Sequence, residues 1–111
     1  MPEPIKFWDV SKRLDWFRAR ALTQKIFQRP EILGELRNCI EAKWGGDPSK
    51  LRSILLWRKL LALTPRDFAQ TILADNPEAE EMRESYPPYV AMTPVERAEY
   101  IEASRRELAV A

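Results

Sequence analysis

Nine prolines punctuate this chain, and five of them (Pro30, Pro48, Pro65, Pro77 and Pro94) stand where a helix can begin. Proline lacks a backbone N–H and has a fixed φ. A helix interior rejects both features, but the first helical position accepts them, because its N–H has no intrahelical partner. Four of the five follow a residue whose side-chain oxygen can take up the free N–H groups of a first turn: Asp47, Thr64, Asn76 and Thr93. Thr93-Pro-Val-Glu96 completes a capping box, and Thr64-Pro-Arg-Asp67 is a weaker version with Asp in place of Glu. With one helix ahead of Pro30, the punctuation predicts six helices and an all-α fold.

The stretch Leu51–Leu63 has the strongest apolar character, with nine apolar residues among thirteen. At 100° per residue, Ile54, Trp57 and Leu61 share one stripe, and Leu56, Leu60 and Leu63 share another roughly opposite it. A helix that is apolar on two faces is expected to be covered from both sides. The expectation is therefore one compact bundle of about six helices, spanning residues 1–111, around a central buried helix at 48–63. Residues 1–8 are read as a flexible N-terminal arm. At 111 residues the chain has length enough for one modest core.

The remaining elements follow from the same rules. The first helix is expected from Asp9 or Ser11 to about Gln28, with Val10, Leu14, Phe17 and Ala21 on one side. Trp16 and Phe27 fall away from that side, so this helix packs on two neighbours or leaves an apolar patch. From Pro30 to Trp44 the pattern is cleanly amphipathic, with Leu33, Leu36, Ile40 and Trp44 inward, and Gly45-Gly46 supplies a left-handed stop. Thr64–Leu73 turns Phe68, Ala69, Ile72 and Leu73 inward. Pro77–Glu84 is rich in carboxylates, and Pro94 to about Leu108 turns Tyr100, Ile101 and Leu108 inward. Between the last two lies Ser85–Met92, where Pro87 and Pro88 favour extended backbone and two tyrosines need somewhere to pack.

Charge is unevenly spread. Residues 1–66 carry a balance of +7 and residues 67–111 a balance of −6. One reading is a basic nucleic-acid surface with an acidic tail; the other is an acidic half folded back on a basic one. Catalytic chemistry finds few candidates. Without a histidine there is no imidazole acid–base, no Ser-His-Asp system and no usual zinc set. Only Gly34, Gly45 and Gly46 are available, so no phosphate loop can be drawn. Cys39 is alone, and the helical carboxylates lack a histidine to complete a di-metal motif. The expectation is a non-enzymatic protein with no catalytic residues, no metal and no cofactor. With no apolar run of membrane-spanning length and no signal-peptide pattern at the start, it is expected in the cytoplasm.

Five segments, taken in order, resemble a family of small bacterial all-helical proteins associated with toxin–antitoxin-type gene pairs. They are Arg29-Pro30, Trp44, Leu56-Trp57-Arg58-Lys59-Leu60-Leu61, Met82-Arg83-Glu84-Ser85-Tyr86-Pro87 and Met92-Thr93-Pro94-Val95-Glu96-Arg97. In such pairs the other member is nucleotidyltransferase-like. The similarity runs over about residues 19–101 and leaves Met1–Arg18 outside. It departs where Glu84 replaces Gln and Pro88 replaces Phe, so any aromatic anchor of that loop falls to Tyr89.

The resemblance implies an antitoxin-like partner of a nucleotidyltransferase-like toxin. On that reading Arg83, Tyr86, Pro87, Pro88, Tyr89, Glu96 and Arg97 form the partner contact, and the acidic half covers a basic nucleotide site. The competing role for Arg83 and Glu96 is a clamp holding the loop between two helices. Two other functions stay open: a nucleic-acid-binding regulator using the basic half, and a homo-oligomeric helical module, the two-faced 48–63 helix allowing a dimer.

Overall fold

The computed structural model describes residues 9–85 and 93–110, the last four as backbone only. The expected arm at 1–8 and the Tyr86–Met92 stretch lie outside the described residues, as does the side chain of Leu108. Six α-helices form: α1 (Val10–Gln28), α2 (Ile32–Trp44), α3 (Leu51–Leu61), α4 (Pro65–Ile72), α5 (Pro77–Glu84) and α6 (Pro94–Val110). A 3-10 turn, Pro48–Lys50, leads into α3. No strand occurs among the described residues, and the architecture is the all-α bundle expected.

The caps hold at atomic detail. Asp9 accepts from the Lys12 N–H at 3.1 Å, Thr64 from Asp67 at 3.2 Å and Asn76 from Ala79 at 2.8 Å. Asp47 caps the 3-10 turn through the Ser49 N–H. Around α6 the box closes both ways: Glu96 N–H donates to Thr93 Oγ1 at 3.2 Å, and Thr93 N–H donates to Glu96 Oε1 at 2.9 Å. Pro30 is the exception, because α2 starts at Ile32. A tight turn through Arg29 and Pro30, closed by the Ile32 N–H on the Arg29 carbonyl, precedes it. Gly46, at φ +82°, supplies the left-handed residue that ends α2.

α1 shares the centre of the bundle with α3. α1 packs against α2, α4, α5 and α6, whereas α3 meets α2, α4, α5 and the 3-10 turn before it. Trp57 is fully buried, with Ile54, Leu60 and Leu61, but Leu51 and Leu55 stay more than half exposed. α2, α4 and α5 thus cover both expected stripes of α3, Leu60 fully and Leu56 and Leu63 in part, while the edge bearing Leu51 and Leu55 stays open. α1 takes its central place through a face that its simple apolar stripe concealed. Trp16, Ala19, Leu22 and Ile26 are fully buried, while Val10 is 61% exposed. Of the stripe expected inward, Phe17 is buried, Leu14 and Ala21 are half-buried, and Phe17 and Ala21 also line the seam with α6.

Candidate interaction site

The acidic helix α5 and the capped start of α6 flank the aromatic stretch 86–92, so the site is built from these two ends. α5 turns Ala79, Met82 and Arg83 inward. The Met82 carbonyl accepts from the Trp57 indole at 3.2 Å, and the Trp16 indole donates to Leu73 O at 3.2 Å. Both large rings therefore bury without stranding their N–H groups. Ser85 closes the helix by donating its hydroxyl to the Glu81 carbonyl at 2.8 Å.

Arg83 departs from the contact reading. It is 2% exposed, and one guanidinium nitrogen donates to the carbonyls of Ile72 at 2.7 Å and Ala74 at 2.9 Å. It satisfies the frayed carbonyl end of α4 and ties α5 to it, so it cannot reach a partner while α5 is seated. Burial works against its charge and lowers its pKa, which the nearby carboxylates Asp75, Asp15 and Glu84 oppose. The Arg83 carbonyl in turn accepts from Arg18 on α1 at 3.1 Å.

Glu96 is also committed to the fold. Besides the box with Thr93, its Oε1 lies 2.8 Å from Lys25 Nζ on α1. The Lys25 hydrogen bond, followed by the Thr93 N–H, holds its carboxyl down at about 2. Arg97, by contrast, is exposed. Of the seven residues expected at the contact, Arg83 and Glu96 are anchors of the frame, Arg97 is at the surface, and Tyr86, Pro87, Pro88 and Tyr89 fall outside the described residues.

Along the seam of α1 and α6 runs an open trough of about 290 Å³, floored by Phe17, Ala21, Tyr100 and Ala103 and rimmed by Arg20 and Glu99. The Arg20 guanidinium lies 4.4 Å from the Phe17 ring centre. Phe17 and Ala21 of the expected apolar stripe were the available signal, but pattern alone did not say that α6 would be their neighbour.

The two charge halves meet on the same framework. Lys12 on α1 pairs with Glu80 and, at 3.7 Å, with Glu84; Arg52 on α3 meets Glu81 at 2.6 Å; Lys59 meets Glu78 at 3.1 Å. Within the basic half, Arg58 grips Glu41 with two bonds of 2.6 and 2.7 Å. Among the described residues no group of three or more Asp, Glu, Cys or His side chains could hold a metal ion, and no helix is long and apolar enough to cross a membrane.

Compared with protein-family models, curated proteins and solved structures, the chain matches none. The site therefore has to be read from its own geometry.

Proposed function

We propose that the protein is a non-enzymatic interaction module, antitoxin-like, that binds a partner protein through Tyr86, Pro87, Pro88, Tyr89 and Arg97. The observation that carries this reading is that both flanks of the segment are fixed to one helix. The Arg83 carbonyl is held by Arg18, and Glu96 is held by Lys25, seven residues further along α1. A short aromatic segment between fixed ends has less freedom to lose on binding. Tyrosines supply large contact area at little entropic cost. The antitoxin-like assignment comes from the family resemblance, as does a nucleotidyltransferase-like partner.

Ion pairing favours a protein over a nucleic acid as partner. Lys12, Lys25, Arg52, Arg58 and Lys59 belong to the basic half, and each is paired with a carboxylate of the same chain. A phosphate backbone would have to compete for them.

The test is co-expression with the product of the neighbouring gene, followed by light scattering on the purified material. A defined complex is expected, and Tyr86→Ala with Tyr89→Ala should weaken it by about tenfold or more. No complex, or a double variant that binds at full strength, would reject the reading. Steeply salt-dependent binding to duplex DNA would support the regulator instead.

A further inference from the structure

α5 is seated on the bundle in an unusual balance. Its apolar contribution is confined to Ala79 and Met82, while the third buried side chain is the charged Arg83. Burying a guanidinium costs solvation that its carbonyl partners only partly return. Opposing that cost is an outer ring of ion pairs: four carboxylates in two turns, Glu78, Glu80, Glu81 and Glu84, held by Lys12, Lys59 and Arg52. These cations sit on two different helices, α1 and α3, so the ring clasps α5 from both sides.

Without the clasp the carboxylates would repel one another, since Glu78 and Glu81, Glu81 and Glu84, and Glu80 and Glu84 stand one turn apart. Attraction wins because the opposite charges are in contact, Arg52 at 2.6 Å and Lys59 at 3.1 Å, while the like charges are a helical turn away. The α3 side of the ring is the more open to water, with the Arg52 side chain 77% exposed and Lys59 69%, while Lys12, Glu80 and Glu81 are partly covered, at 42%, 36% and 37% exposed. Such pairs are individually weak and open to competition from dissolved ions. The hydrogen bonds beneath them lose nothing irrecoverable on release, because the Arg83 guanidinium, the Met82 carbonyl and the Trp57 indole all find water.

We infer that α5 is an ionic latch: a short helix that closes over Trp57 and the carbonyl end of α4 while its carboxylates are clasped by α1 and α3, and lifts locally when those cations are competed away. This is a conformational device of the fold and does not depend on the partner reading. Lifting α5 frees Arg83 and loosens the N-terminal flank of residues 86–92, whereas the C-terminal flank stays held through Lys25 and Glu96.

Amide hydrogen exchange on the full chain, followed by peptide across a salt series, tests it. Between about 0.05 and 0.5 M sodium chloride, protection over residues 80–85 is expected to fall by about fivefold or more, while the interiors of α1 and α2 change less than about twofold. Arg52→Gln with Lys59→Gln should reproduce the high-salt pattern at low salt and flatten the salt dependence. Arg58→Gln, which cuts the pair between α3 and α2, should leave α5 protection unchanged. Protection of α5 that ignores salt, or that falls in step with every other helix, would overturn the inference. So would a double variant indistinguishable from the parent.

Discussion

Glu96 shows how one side chain can serve three purposes at once. It completes the capping box with Thr93, pairs with Lys25 and so sets the start of α6 against α1. Folding holds this carboxyl down at about 2, against an ordinary value of 4.5, chiefly through the Lys25 hydrogen bond. A group made more acidic by folding contributes fully above its unfolded pKa and loses that contribution as pH falls toward its folded one. Glu96→Gln should therefore cost about 0.5–1 kcal/mol near neutral pH, a small figure because the pair is partly exposed. Urea midpoints of parent and variant should converge as pH falls from 4.5 toward about 2. Arg83 makes the opposite kind of test. Arg83→Ala removes a charged donor from two carbonyls and should cost about 2–3 kcal/mol at any moderate pH. Loss of partner binding with no fall in urea midpoint would return Arg83 to the contact surface.

At the scale of an element, α2 shows how glycines of equal appearance differ in effect. A Cβ on Gly34, inside the helix, would meet nothing within 4 Å, so Gly34→Ala should stabilise the protein by about 0.5–1 kcal/mol through reduced freedom of the unfolded chain. A Cβ on Gly45 would collide with the Glu41 carbonyl oxygen, so Gly45→Ala must displace the end of the helix and should lower the thermal midpoint. Thermal melts of the two variants, moving in opposite directions, check both. The helices themselves were largely legible because their starts are written in side-chain chemistry. Asp47, Thr64, Asn76 and Thr93 each accept the bond that their position before a proline predicts. Pro30 follows an arginine rather than a capping residue, and there the start of α2 slipped to Ile32. What periodicity could not reveal was the neighbour of each face. Of the Val10–Ala21 stripe read as the inside of α1, Phe17 is buried and lines the seam with α6 beside Ala21, Val10 is exposed, and Trp16, apparently off to one side, is fully buried.

For the whole molecule, placement shows the acidic half folded back on the basic one. α5 and α6 lay their carboxylates on α1 and α3, which brings the +7 and −6 halves together within a radius of gyration of 13.7 Å. The candidate partner site was less legible, because a contact residue and a clamp have the same sequence signature: Arg83 and Glu96 are polar residues flanking a loop in either role. The same interleaving predicts that the halves are not separable domains. Trp16 depends on Leu73 for its indole partner and Trp57 depends on Met82, each across the boundary after Leu63, and the Trp57 ring also lies 6.2 Å from Phe68, tilted by 57°. A chain ending at Leu63 would expose both indoles and keep its cations without the carboxylates that neutralise them. It is expected to retain some helical signal by circular dichroism but to show no sigmoidal urea transition, because α1 would lose its contacts with α4, α5 and α6 together. Adding residues 64–111 as a separate chain should restore the transition, and more completely at low salt than at high, since Lys12, Lys25, Arg52 and Lys59 then recover their partners. A cooperative transition in the 1–63 fragment alone would instead place an independent core in the first three helices.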